Sequence, residues 1–194
     1  DDDNVEYRSR LVAQELKTLS WADDLFAATP PLEAKKLICS MAVIECIGFF
    51  GSDVKKGLKI DFIDIRRAYF HSRSRRRVYV KLPPEDSEPG MCGLLLKSMY
   101  GTRDAANNWE AEYTSFMESV GFTAGKSVTC IFYHCTRDVQ AVIHGDDITL
   151  LGAEKDLDWF RQVVQQRFEI KANRIGPGKQ DNKSMKLPNR NLPL

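Results

Sequence analysis

The chain has 194 residues, with 28 Lys and Arg against 27 Asp and Glu and a formal net charge of +1. So even a balance excludes any argument from bulk charge for a nucleic-acid partner, and the length allows one domain, or one domain with a lobe, around a sizeable core. Five cysteines without C-x-x-C spacing, and no signal peptide, read as reduced intracellular thiols rather than a disulfide framework or zinc site. No apolar run reaches membrane-spanning length.

In chain order, TPPLEAKKLICSMAVIECIGFF predicts the first helix. Thr29 precedes two prolines, Leu37, Met41, Ile44 and Ile47 recur at helical spacing, and Gly51 is a stop. GLKIDFIDI alternates polar and apolar residues and predicts a strand ending near Asp64. RVYVKLPPED predicts a second strand, stopped by Pro83 and Pro84. Over 104–120, Ala105, Trp109, Tyr113, Phe116, Met117 and Val120 mark an amphipathic helix closed by Gly121. VTCIFYHC predicts a strand, in which Cys130, His134 and Cys135 read as packing. AVIHGDDITLLG predicts a hairpin, with 141–143 and 148–151 as strands and Gly145-Asp146 as a turn of the Gly-X kind. A last helix starts at about Glu154, with Leu157, Phe160, Val164 and Phe168 on one face. From Ala172 the chain is rich in Gly, Pro, Asn and Lys without a period, which reads as a linker or frayed end.

This order implies an α+β sheet with helices on one face. Within it, two adjacent aspartates inside an apolar run need a reason. Taken locally, the favoured reading is a solvated turn, where Asp is common without any chemistry. Asp64, however, ends one predicted strand while Asp146 and Asp147 tip another. If those strands are neighbours, three carboxylates converge, and such a cluster suits magnesium, a hard ion that takes oxygen ligands. Two such ions roughly 3.5 to 4 Å apart serve in-line phosphoryl chemistry.

Six segments, in order over most of residues 7–172, resemble the reverse transcriptase domain of copia-type LTR retrotransposon polyproteins. YRSRLVA resembles that family's Y-K-A-R-L-V-A, and FAATPPLEAKKLICSMA its F-A-P-V segment, with Lys36 where an arginine usually stands. IDIRRAYFHSRSRRRVYVKLPPE resembles L-D-V-K-T-A-F running on to V-Y-M-x-Q-P-P-G. LKSMYGTRDAANNW resembles L-x-K-S-L-Y-G-L-K-Q-A-P-R-A-W, GFTAGKSVTCIFYH resembles G-F-x-x-S-x-x-D-x-C-L-F, and VIHGDDITLLG takes the place of V-Y-V-D-D-I-L-I-x-G. Together they are highly specific.

The resemblance implies a right-hand polymerase fold with a ferredoxin-like palm sheet and no thumb. Fingers would fall mainly in 1–56 and 72–100 and palm in 57–71 and 101–172, with 173–194 a linker or the start of the missing thumb. It makes Asp64, Asp146 and Asp147 the catalytic, metal-binding carboxylates, with the Ile65 backbone carbonyl as a further ligand of two magnesium ions, for which manganese can substitute. Arg10, Ala68 and Tyr69 would contact the nucleotide: Arg10 on the triphosphate, Tyr69 as a ring under the sugar that rejects a ribose 2′-hydroxyl. The implied activity is RNA-directed DNA polymerisation. Its partners would be an RNA or DNA template with primer, deoxynucleoside triphosphates and the remaining polyprotein, integrase and ribonuclease H included. No membrane is involved, and the implied location is intracellular, in a cytoplasmic particle or the nucleus.

Departures from the family pattern accompany the matches. His144-Gly145 replaces Tyr-Val before the aspartates, and Ala106 replaces Pro. Asp104 replaces Gln, and a carboxylate near a triphosphate is unfavourable unless turned away or neutralised. In RRAYFHSRSRRR, Arg73, Arg75, Arg76 and Arg77 stand where the family is commonly acidic. They are candidates for nucleic-acid contact, against the plainer reading of a solvated basic loop. Two other readings of the chain stay open: a catalytically decayed copy that only binds nucleic acid, and a template-independent palm-fold nucleotidyl enzyme such as a cyclase.

Overall fold

A computed structural model of the protein describes residues 11–15, 27–47, 57–179, 181–187 and 190–193. The predicted role of Arg10 therefore lies outside the described residues. The chain divides into two compact units, one made of 1–26 and 69–109, the other of 27–68 and 110–194.

The second unit holds an antiparallel six-stranded sheet in the order β4-β5-β6-β7-β1-β8. Its strands are β1 (Lys59–Ile65), β4 (Thr123–Ala124), β5 (Ile131–His134), β6 (Val139–His144), β7 (Asp147–Gly152) and β8 (Ile170–Ile175). The central strands β6 and β7 are almost wholly buried, as isoleucine- and leucine-rich runs covered on both faces should be. α3 (Glu154–Arg167) buries Leu157, Phe160 and Val164 as its spacing predicts, and Phe160 meets Phe122 edge-on at 5.5 Å. α2 (Ala105–Ser119) begins in the first unit, and from Glu110 onward belongs to the second. It ends where Gly121 takes a φ of 94°, a conformation favourable only to glycine.

The fold is mixed α and β, yet the helices do not share one face. α1 (Leu32–Ile47) lays Ala34, Ile38 and Ala42 on Ile60, Phe62, Val142, Leu151 and Ile175. In the strand register those sheet residues share one face, while Asp61, on the other, meets Arg161 of α3. Of the predicted apolar stripe of α1, Met41 packs against this core, the side chains of Ile44 and Ile47 lie outside the described residues, and Leu37 is the member to correct. Leu37 is exposed, because the two alanines let the helix backbone approach the sheet more closely than a leucine ridge would.

The C-terminal stretch also differs from the expected linker. β8 pairs with β1 along its length, Asp61 opposite Arg174. β9 (Ser184–Leu187) pairs with β10 (Arg190–Pro193). Asp61 is fully buried and accepts paired hydrogen bonds from Arg161 (2.6 and 2.9 Å) and Arg174 (2.5 and 2.9 Å). This ion cluster holds a polar edge strand that apolar periodicity does not reveal.

The first unit contains a turn of 3-10 helix at Ala68–His71, most of which belongs to it, and a two-stranded ribbon. The ribbon pairs β2 (Tyr79–Val80) with β3 (Gly93–Leu94). Pro84 opens another 3-10 turn, Pro84–Asp86.

Candidate metal centre

β1 and β7 are sheet neighbours, and in their register Asp64 stands directly opposite Asp147. The β6–β7 hairpin leaves Gly145 and Asp146 as its two-residue loop, with Gly145 at φ 63° and Asp146 outside the left-handed region. Glycine first and an ordinary residue second is the turn predicted from the sequence. The Ile65 N–H donates to the Asp146 carbonyl at 2.9 Å, fastening the hairpin tip to the end of β1.

Asp64, Asp146 and Asp147 each bring a carboxylate oxygen within 4.8 Å of the other two, and all three are exposed. Three converging carboxylates open to solvent form a hard donor set for a divalent cation that keeps some of its water. The carboxyl of Asp147 is pushed above its ordinary value, first by partial desolvation where its residue joins the sheet and then by the charges of Asp146 and Asp64; Lys35 and His144 pull the other way. A cation between the carboxylates would reverse that preference for the proton.

Lys35 lies on α1, the helix covering the sheet face from which Asp64 and Asp147 project. His144 is the register partner of Asp147. Sequence reading gave neither residue a role, since only the packing of α1 and the hairpin register bring them to the aspartates. Arg66 and Arg67, which follow Asp64 closely, both bond Glu169, so one carboxylate offsets two nearby cations.

The other predicted residues fall as follows. Ala68 is fully buried in the second unit. In the first unit, Tyr69 is half-buried with its ring centroid 4.5 Å from that of Tyr100, and its carbonyl accepts from the N–H and hydroxyl of Ser72. Arg73, Arg75 and Arg77 are exposed. Arg76 is engaged differently: it bonds both oxygens of Glu15 and reaches Asp104 at 2.9 Å.

Asp104 itself is buried. Asn108 donates to it at 2.9 Å and to the Ser98 hydroxyl at 3.0 Å. Burial pushes the Asp104 carboxyl up, but the hydrogen bonds from Arg76 and Asn108 outweigh that and hold it below its ordinary value. The departure that raised an electrostatic objection is thus neutralised within its own unit.

The profile of the reverse transcriptase (RNA-dependent DNA polymerase) family matches residues 1–177. The chain is 24% identical over 185 residues, 91% of its length, to the retrovirus-related Pol polyprotein from transposon TNT 1-94 of Nicotiana tabacum. It is 23% identical over 171 residues, 85% of its length, to the corresponding polyproteins from transposons RE2 and RE1 of Arabidopsis thaliana. The chain spans 13% of the first of these relatives and 11% of the other two. No solved structure matches it.

Proposed function

The chain belongs to the reverse transcriptase (RNA-dependent DNA polymerase) family, and from that premise we propose that it is the fingers and palm of a copia-type retrotransposon polymerase. The reaction is attack of a primer 3′-hydroxyl on the α-phosphate of a deoxynucleoside triphosphate, directed by an RNA or DNA template, with release of pyrophosphate. The observation that carries this reading is the convergence of Asp64, Asp146 and Asp147 at one end of the sheet.

Asp64, Asp146 and Asp147 would hold two magnesium ions, with the Ile65 carbonyl beside them. When bound, the ions supply activation of the attacking hydroxyl and charge stabilisation at the leaving oxygen. The protein's own part is positioning and electrostatics, with no side-chain nucleophile. β1 and β7 fix two carboxylates in register, and the Ile65-to-Asp146 hydrogen bond sets the third. Arg10 would pair with the triphosphate and the Tyr69 ring would exclude a ribose 2′-hydroxyl, whereas Ala68, fully buried, offers the nucleotide no surface and serves packing instead. Arg73, Arg75 and Arg77 would meet nucleic-acid phosphates, whereas Arg76 serves Asp104.

Primer extension on an RNA template with magnesium and deoxynucleotides, using the chain with its native downstream sequence, tests this reading. Template-directed extension that disappears in Asp146→Asn is expected. Absence of extension in wild-type protein that still binds template would overturn it in favour of a copy that only binds nucleic acid.

A further inference from the structure

The chain that leaves Asp64 is crowded with cations. Arg66 and Arg67 follow it at two and three positions, so at most about 7 and 11 Å of chain lie between. On β8, the exposed Lys171 is the register partner of Asp64, and partners of that kind stand side by side. Charges at this range act within roughly one Debye length, about 8 Å at physiological ionic strength. Uncompensated, they would oppose the binding of a divalent cation to Asp64, Asp146 and Asp147.

Glu169, between α3 and β8, stands against two of them. Its carbonyl accepts from the Arg66 N–H at 2.9 Å, and its neighbour Ile170 pairs with Ile65. The backbone therefore fixes Glu169 beside the turn before any side chain is considered. Its carboxylate is shared: Oε1 accepts from Arg66 Nη1 at 2.5 Å and Oε2 from Arg67 Nη2 at 3.2 Å. Arg67 reaches it from a backbone with φ of 56°, a left-handed conformation unfavourable to any residue with a Cβ.

The side chains of Arg66, Arg67 and Glu169 are 56%, 72% and 48% exposed. Ion pairs so open to water contribute little to stability. The consequence of the arrangement falls instead on local charge, because one carboxylate held in place by β8 faces two guanidinium groups next to a cation site.

We propose that Glu169 is a positioning residue for the cation site: by drawing Arg66 and Arg67 onto its carboxylate it cancels part of their charge and raises the affinity of Asp64, Asp146 and Asp147 for divalent cations. The inference rests on the reading that those three aspartates hold such cations. A clip that merely stiffened the turn would be broken equally from either end. Charge compensation differs, since removing the carboxylate and removing the arginines then have opposite signs.

The test is electron paramagnetic resonance of manganese titrated into the 194-residue chain at low and at high salt. Glu169→Gln is expected to weaken binding about fourfold at low salt, the effect of one unit charge on a divalent ion about 10 Å away in water. High salt should narrow that difference. Arg66→Gln/Arg67→Gln should bind manganese more tightly than wild type, and Glu169→Gln/Arg67→Gln should return toward wild-type affinity. Thermal melting checks that the variants stay folded, and if Glu169→Gln does not, the sign of the change in the arginine variant decides.

Equal affinity of wild type and folded Glu169→Gln at low salt would overturn the proposal. Weaker binding by Arg66→Gln/Arg67→Gln would overturn it too, by revealing a mechanical clip. Asp146→Asn separates the two readings. If it loses the site while Glu169→Gln matches wild type, the Glu169 proposal fails alone; if wild type itself has no saturable manganese site, the reading of the aspartates fails and the proposal with it.

Discussion

Asp147 carries an electrostatic load that its sequence position alone does not explain. Partial desolvation and the charges of Asp146 and Asp64 favour its protonated form, so the folded state holds this proton more tightly than the unfolded chain does. Stability of the cation-free protein therefore falls as pH rises through the titration of Asp147. Asp147→Asn should raise cation-free stability in urea at neutral pH by a few tenths to about 1 kcal/mol, the small size reflecting solvent screening of an exposed group. Asp104 has the opposite sign. Its carboxyl is held below the ordinary value, so its contribution is present above the ordinary carboxylate range and lost as pH falls. Arg76→Ala should cost about 1–3 kcal/mol by leaving a buried carboxylate without its cation. Adding Asp104→Asn should recover part of that loss in a double-mutant cycle. The triad was legible because strand ends and a hairpin tip can be read locally. The Arg76–Asp104 pair was not, since nothing local links an arginine in a basic run to an acid 28 positions later.

At the scale of elements, periodicity located the three helices but misplaced one residue of the buried face of the first, since Met41 packs on the core and Leu37 does not. In α1 the conspicuous apolar residue Leu37 is exposed, while Ala34 and Ala42 meet the sheet. Alanine contributes little to a hydrophobic pattern, although it permits the closest helix–sheet approach. β8 escaped the pattern for a related reason: it pairs with β1 through its backbone, and between its two terminal isoleucines its residues are polar or small, Arg174 being spent on Asp61. Asp61→Ala would leave Arg161 partly buried without its carboxylate and Arg174 with only Asp158 and Glu154. It should cost about 1–3 kcal/mol, and hydrogen exchange should show the β8 amides losing protection ahead of β6 and β7. The hairpin tip is limited by its backbone. A Cβ at Gly145 would meet nothing within 4 Å, but the φ of 63° should make Gly145→Ala cost about 1–2 kcal/mol.

Across the whole molecule, a net charge of +1 conceals two opposite concentrations: acidic at the sheet end of one unit and basic along the ribbon of the other. Bulk composition averages them away, whereas the order of short motifs along the chain preserves them, so both concentrations were legible in the motifs though not in the net charge. Among the described residues, Glu15, Asp104, Glu169 and Asp181 are all held below their ordinary values, while Asp147 is pushed above it. Acid titration followed by circular dichroism should accordingly show a net loss of stability below the ordinary carboxylate range. The claim on which the functional account turns is that Asp64, Asp146 and Asp147 act together as one cation site. Electron paramagnetic resonance of manganese titrated into the wild-type chain and into Asp146→Asn measures this directly. Saturable binding by wild type that the substitution weakens at least tenfold is expected; equal binding by both proteins would contradict a shared cation site.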